Sequence, residues 1–153
     1  MRLILILVLI LTSSVLHAQY DLMDVHDQIK NSQMNDSRFN WKYFGTLNYM
    51  IDGIDNAGDY RLNIKEDVEV RLYLVSKTDC IMYFTIRDAE MNYLFGTEDT
   101  ESLRTILMGG HKVATAMHVF YTAETLMIRF GVRWGCKKMI DTEMKMLVFY
   151  KEN

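Results

Sequence analysis

Aromatic and basic side chains in strand-like segments are the residues best placed to bind a ligand. Tyr73 and Tyr83 lie at polar-facing positions of two segments that alternate apolar and polar residues, and Arg129 and Arg133 do so in a third. Exposed rings of this kind can stack on a sugar or hold a peptide. We predict that Tyr73, Tyr83, Arg129 and Arg133 form a ligand-binding surface. The alternative is that the rings are cross-strand pairs that only stabilise the sheet.

The histidines give no catalytic or metal-binding pattern. His111 and His118 are too far apart for the recurring spacings of zinc ligands, and His26 stands alone. The motifs HExxH, GxSxG and GxxxxGK[ST] do not occur in the sequence. We therefore predict no catalytic residues, no metal and no cofactor, and interpret the histidines as ordinary surface or turn residues.

Aspartates are concentrated in the segment DGIDNAGD, residues Asp52 to Asp59. Carboxylate and amide oxygens are the ligands that calcium prefers. The spacing does not fit an EF-hand loop, however, and Asp-Gly and Asn-Ala-Gly are common turn sequences. A turn is the favoured interpretation, and calcium is the alternative.

The two cysteines, Cys80 and Cys136, are predicted to form a disulfide. Cys80 has the strand phase of Met82, and Cys136 has the phase of Trp134, so both side chains face the core. A bridge between them would contribute about 4 kcal/mol on the chain-entropy model. The alternative is two separate buried thiols.

The N-terminus has the features of a secretory signal. Arg2 precedes an unbroken apolar run from Leu3 to Leu11, and a small residue, Ala18, precedes Gln19. A membrane span would need about 20 apolar residues, so an anchor is the less favoured alternative. We expect cleavage after Ala18, which gives a signal peptide at 1–18, a helix and polar linker at 19–40 and one β-sandwich domain at 41–153. The product is expected to be secreted or periplasmic, where disulfides are permitted.

The charge balance argues against a nucleic-acid surface. The full chain has 17 basic and 20 acidic residues, a formal charge of −3, and loss of Arg2 with the signal changes it to −4. No cluster of basic residues stands out. The expected partner is a protein or a glycan, with no nucleic acid and no membrane span after signal cleavage.

Hydrophobic residues follow a period of two over most of the chain, which is typical of β-strands. The segments YRLNI and VEVRLYL are separated by the polar turn Lys65-Glu66-Asp67, and the turn Asp88-Ala89-Glu90 ends the next strand. Strands separated by turns favour a sandwich or barrel over a parallel sheet. We predict a mainly β fold, an antiparallel, jelly-roll-like β-sandwich of about eight strands. The alternative is a lipocalin-like closed barrel.

Two short helices are predicted in addition. Tyr20 to Met34 places Leu22, Val25 and Ile29 at helical spacing. A helical insertion is predicted near Thr100 to Met108, because an acidic residue precedes it and Gly109-Gly110 follows it. The segment from Val113 to Tyr121 fits either a helix or a strand, and its β-branched and aromatic end favours a strand.

The order of these segments resembles the bacterial pre-peptidase C-terminal domain over roughly Phe44 to Tyr150. The first two matching strands carry Asp59, Tyr60, Leu62 and Ile64, then Val68, Val70 and Leu72. The third match is Asp88, Ala89, Asn92 and Leu94, and FYTAETLMIRFGV is similar to a later strand of that family. Asp67 and Met91 stand where the family usually has turn glycines. A turn that needs a positive φ disfavours a residue with a β-carbon, such as Met91.

The resemblance implies a non-catalytic sandwich that accompanies secreted enzymes in a binding or stabilising role. We therefore predict a secreted or periplasmic, non-enzymatic module that binds a macromolecule or a glycan. Three alternatives stay open: a lipocalin-like small-molecule carrier, a small secreted hydrolase with a site assembled from scattered residues, and a structural component of the cell envelope.

Overall fold

The computed structural model describes residues 22–51, 57–78, 80–96, 104–108, 111–132 and 142–152, and of 104–107 only the backbone. Within these residues the chain forms one helix and nine strands. The helix α1 spans Leu22–Asn35, and the strands are β1 Lys42–Ile51, β2 Ala57–Ile64, β3 Val68–Ser76, β4 Met82–Arg87, β5 Tyr93–Gly96, β6 Arg104–Met108, β7 His111–Phe120, β8 Glu124–Val132 and β9 Thr142–Glu152.

The strands form two antiparallel sheets. Sheet A has the order β1-β9-β3-β7-β6, and sheet B has the order β2-β8-β4-β5. Alternate side chains of both sheets meet in one core, where Phe84, Phe130, Leu72 and Met146 are fully buried. This arrangement is a sandwich of two packed sheets, as predicted. The described strands do not close into the single barrel of the alternative prediction, and the jelly-roll-like connectivity stays a prediction.

A second, smaller core lies on the outer face of sheet A, under α1. Leu22, Val25 and Ile29 of the helix are buried together with residues of the sheet such as Phe149. Trp41 completes this cluster, and the Arg71 guanidinium lies 4.4 Å from its ring centroid. The helical spacing in the sequence therefore located α1 correctly, because its apolar stripe covers the sheet.

The helical insertion predicted near Thr100 to Met108 is wrong for residues 104–108. Arg104–Met108 is strand β6, which pairs with β7 in a register that sets Met108 opposite His111. Gly109 and Gly110, which resembled a helix stop, follow this strand in the sequence and lie outside the described residues. Residues 100–103 lie outside the described part of the chain.

The other ambiguous segment is a strand, as its β-branched end favoured. His111–Phe120 forms β7, which pairs with β3 from Val68↔Phe120 to Ser76↔Lys112.

None of the helices in the described part of the chain has the length and apolarity that a membrane span requires.

The two turns that lack the family's glycines have left-handed backbone conformations. Asp67 has a φ of 53° and Met91 a φ of 70°. In the second turn the Met91 amide donates to the Asp88 carbonyl, and the Asn92 amide and side chain donate to the Asp88 carboxylate. The side-chain hydrogen bond from Asn92 is the main cause of a lowered pKa at Asp88. Both turns keep a geometry that glycine adopts most easily.

Candidate functional site

The outer face of sheet B lies on the opposite side of the sandwich from α1. The inward positions of β4 and β8 belong to the main core, so the positions between them face outward. On β4 these are Tyr83, Thr85 and Arg87, and on β8 they include Arg129 and Gly131. This face, which we call the sheet B face, contains two of the four residues predicted to bind a ligand.

Tyr83 is partly exposed on the sheet B face, whereas its neighbours Thr85 and Gly131 are buried. The cross-strand neighbour of Tyr83 on β8 is Gly131, which has no side chain. On the other side of β4, the described pairing with β5 reaches only Thr85, opposite Gly96. Tyr83 is thus not stacked in a cross-strand pair with a side chain of β8. The alternative interpretation is that this ring only stabilises the sheet through a cross-strand pair. Gly131 has no side chain with which Tyr83 could form such a pair.

Arg129 lies on the same face, diagonally across from Tyr83. It pairs with Thr85 of β4 on one side and with Asp59 of β2 on the other. Its Nη1 lies 3.2 Å from Asp59 Oδ2, and both side chains are more than half exposed. An exposed pair of this kind contributes only about 0 to 1 kcal/mol to stability. It places a guanidinium and a carboxylate on the same face as Tyr83.

A second polar pair extends the sheet B face along the same two strands. Thr125 Oγ1 donates to Asn63 Oδ1 at 2.9 Å, and the two residues are cross-strand neighbours. Between the two polar pairs, Met127 lies opposite Arg61, so the face presents the Tyr83 ring and, farther along β8, polar side chains interrupted by one methionine. Such a combination suits a ligand with both an apolar face and many hydroxyl groups.

Tyr73 lies on the other side of the molecule. Its strand β3 belongs to sheet A, and its ring packs edge-on against Phe149 at 5.8 Å in the core beneath α1. The expectation that Tyr73 and Tyr83 share one face is wrong, because the chain passes from sheet A to sheet B between β3 and β4. Tyr73 is a cross-strand aromatic contact in a packed interface.

The remaining predicted residues fall partly outside the described structure. Arg133 and Cys136 lie beyond the described end of β8. Cys80 is 7% exposed and belongs to the main core, next to Met82 of β4. Its predicted inward phase is therefore correct, and its disulfide with Cys136 stays a prediction. Residues 52–56 of the DGIDNAGD segment also lie outside the residues that the structure describes.

One constellation with catalytic residue types was missed in the sequence. His26 Nδ1 lies 2.8 Å from Asp27 Oδ1, and His26 Nε2 lies 2.8 Å from Thr46 Oγ1. A carboxylate, an imidazole and a hydroxyl in this order are the parts of a hydrolase triad. Here the imidazole is buried between α1 and β1, and the Thr46 hydroxyl also lies 2.5 Å from the Tyr43 hydroxyl. The arrangement fixes the helix to the sheet, and no local sequence signal pairs residues 20 positions apart.

The other two histidines are packing residues. His118 stacks on Phe95 with ring centroids 4.8 Å apart, and His111 is 2% exposed. Among the residues that the structure describes, no group of three or more histidine, cysteine, aspartate or glutamate side chains could hold a metal ion.

Comparison with known proteins gives a likeness of fold. The pre-peptidase C-terminal domain of a Bacillus anthracis collagenase matches 68% of this chain and 87% of its own at 12% identity, with a TM-score of 0.45. A Bacillus licheniformis lipase, BlEst2 in its propeptide form, matches 74% of this chain at 13% identity, with a TM-score of 0.48. The chain spans only 22% of that lipase. No protein-family model and no curated protein matches the chain.

The resemblance to the pre-peptidase C-terminal domain is thereby confirmed as a weak likeness of fold. A likeness of fold assigns no role to the residues of the sheet B face. The ligand-binding role of Tyr83 and Arg129 stays a prediction that rests on the geometry described above.

Proposed function

We propose that this protein is a secreted or periplasmic, non-enzymatic β-sandwich module that binds a glycan through the sheet B face. The observation that carries the proposal is the position of Tyr83. Its ring is partly exposed opposite a glycine, on the face that also carries the Arg129–Asp59 and Thr125–Asn63 pairs. A sugar ring has an apolar face that stacks on an aromatic side chain and hydroxyl groups that hydrogen-bond around it.

A glycan fits this face better than a protein partner does. The described part of the face carries mainly polar and charged side chains around the Tyr83 ring, whereas protein interfaces bury a core of several apolar side chains.

The proposal is tested by glycan binding with three variants. The mature chain, from Gln19, is applied to a glycan array and to insoluble polysaccharides, and hits are measured by calorimetry. Y83A is expected to weaken binding about tenfold, since a lost ring contact is worth up to about 1.5 kcal/mol. R129Q is expected to weaken it less.

A matched control uses another tyrosine. Tyr121 is 75% exposed in the connection between β7 and β8, at the opposite end of β8 from Gly131, which faces Tyr83. Y121A should therefore bind like the wild type. Equal losses in Y83A and Y121A, or no glycan bound at all, would exclude the sheet B face as a glycan site. Binding of an envelope protein in place of glycans would support the alternative partner class.

The secretion part of the proposal rests on the N-terminal sequence and has its own test. The full-length chain expressed with its native N-terminus in a Gram-negative host should be recovered from the periplasm, with a mass that corresponds to a start at Gln19. Recovery of the uncleaved chain in the cytoplasm would refute it.

The hydrolase alternative has one observation in its favour, the Asp27–His26–Thr46 arrangement. A nucleophile must meet its substrate, and the Thr46 hydroxyl contacts His26 and Tyr43 between α1 and sheet A. A binding module therefore accounts for the structure better than a hydrolase does.

A further inference from the structure

An apolar cleft opens between the two sheets at the edge formed by β1 and β2, and it adjoins the sheet B face at Asn63. Its volume is about 140 Å³. The apolar lining comes from both sheets: Phe44, Leu62, Ile64, Val70, Val148 and Tyr150. The polar residues that line it are Asn63 and Lys65.

The cleft exists because β1 is irregular next to it. The pairing of β1 with β9 shifts between Tyr43 and Gly45, so that Phe44 is an extra residue in the strand. Gly45 then stands opposite Val148, a residue of the inner face, and contributes no side chain. A β-carbon added at Gly45 would meet no atom within 4 Å. The bulge and the glycine together leave the space open.

Farther along the same edge the sandwich is closed. The Tyr60 hydroxyl of β2 donates to the Asn48 carbonyl of β1, and the Tyr60 ring stacks on Phe130 at 5.2 Å. Burial raises the pKa of Tyr60. The cleft therefore has a closed floor on one side and an open mouth at the Lys65 end.

The size and lining of the cleft fit one six-membered ring. An apolar cavity of about 150 Å³ holds a benzene molecule, and this cleft has nearly that volume. The Phe44 and Tyr150 rings meet edge-to-face at 6.4 Å and form an aromatic wall. Aromatic walls favour an aromatic guest through offset and edge contacts. Phe44 is 54% exposed, a large apolar exposure that a guest would cover.

The charge at the mouth favours an anionic group on that guest. Lys65 lines the cleft, and among the described residues it forms no ion pair. The neighbouring cation, Lys42, is already paired with Glu152 at 2.6 Å, and the hydrogen bond from Lys42 lowers the pKa of Glu152. The positive charge of Lys65 also contributes to the lowered pKa of Glu152, so two lysines share this one carboxylate and a net positive charge remains at the mouth. A carboxylate at the mouth would complement it.

Addition of a partner's β-strand to β1 is the other use that an edge cleft could have, and the structure disfavours it. The bulge at Phe44 interrupts the hydrogen-bonding edge, and the Tyr60 hydroxyl occupies the Asn48 carbonyl. Bulged and covered edges are those that proteins protect from strand addition.

We propose that this cleft binds a small aromatic carboxylate, with the ring between Phe44 and Tyr150 and the carboxylate at Lys65. This inference goes beyond the glycan proposal, because it concerns a different face and a different class of ligand. Either can fail without the other.

The experiment is a titration of the mature chain with 3-phenylpropionate, followed by NMR of labelled methyl groups. We expect saturable shifts at Val70 and Val148 with a Kd on the order of 1 mM, which is typical of so small a ligand. G45V should weaken binding at least about tenfold, because its side chain would enter the open space opposite Val148, a residue that lines the cleft. G45A, which fills less space, serves if G45V does not fold.

The charge is tested separately with 3-phenylpropan-1-ol and 3-phenylpropylamine. K65Q should weaken the binding of 3-phenylpropionate about threefold to fivefold, as loss of an exposed ion pair would. It should leave the affinity for the alcohol unchanged. K77Q, which removes a lysine at the opposite end of β3, should change neither. Tighter binding of the amine than of the acid would overturn the proposal.

Three further results would also overturn it: no saturable shifts up to about 20 mM acid, unchanged affinity in folded G45V, or shifts confined to other parts of the molecule. The peptide Gly-Gly-Phe supplies the same ring and carboxylate from a chain terminus. If it bound more tightly than 3-phenylpropionate, the assignment to a small free acid would be wrong.

Discussion

Replacing Met91 by glycine should stabilise the protein, because Met91 holds a backbone conformation that its β-carbon disfavours. Its φ is 70°, its side chain is 55% exposed, and its backbone amide is bonded to the Asp88 carbonyl. A residue with a β-carbon in the left-handed region costs about 1–2 kcal/mol. Glycine loses about 0.5–1 kcal/mol more than alanine through backbone entropy on folding. The exposed Met91 side chain contributes little burial, so the net gain in unfolding free energy is about 0.5–1 kcal/mol.

Thermal and urea unfolding of the mature chain, followed by circular dichroism, measures this gain. M91G should raise Tm by about 2–5 °C for a domain of this size. M91A is the matched control: it removes most of the side chain but keeps the β-carbon, so it should give no gain. M91N should fall between the two, because asparagine tolerates the left-handed region.

Two outcomes would refute this reasoning. If M91A stabilised the protein as much as M91G, loss of the exposed side chain and not relief of the backbone would be the cause. If M91G lowered the urea midpoint while M91A left it unchanged, the entropy of glycine would outweigh the strain at this turn.

Three further predictions concern packing and cross-links. G96A should destabilise the protein by about 1–3 kcal/mol, because its β-carbon would lie 2.4 Å from a carbonyl oxygen of β4; wild-type stability in urea unfolding would contradict the geometry of β5. T46V should cost about 1–3 kcal/mol by leaving His26 Nε2 buried without its partner, whereas T46S should not, and faster amide exchange in α1 would locate the loss. If Cys80 and Cys136 are bridged, the denatured mature chain should not react with a maleimide, and reduction should lower Tm by several degrees; a reactive thiol before reduction would refute the bridge.

Much of the fold could be predicted because the alternation of side chains is local information. The inward phases of β3, β4 and β8 agree with the buried residues of the main core, and α1 is found where its apolar spacing placed it. The failure at residues 104–108 has a physical reason. Leu103, Ile106 and Leu107 fit a helix as well as a strand, and only pairing with β7 decides between the two.

The candidate site was predictable only in part. Alternation placed Tyr83 and Arg129 on outward positions, which the sheet B face confirms. It could not tell that Tyr73 belongs to another sheet, or that α1 covers that sheet. The alternation of residues predicts on which side of its own strand a side chain lies. The sheet to which that strand belongs depends on pairing between strands that are far apart in the sequence.

The sequence by itself determined the period of each segment, the apolar N-terminus and the two turns in which Asp67 and Met91 replace glycine. These features depend on neighbouring residues, whose spacing and backbone preferences are local properties. Only the tertiary structure decided that Gly131 lies opposite Tyr83, that Gly45 and the bulge at Phe44 leave a cleft, and that His26 meets Thr46. Each of these depends on a contact between distant segments, and such contacts are set by the joint packing of two sheets and a helix around shared cores.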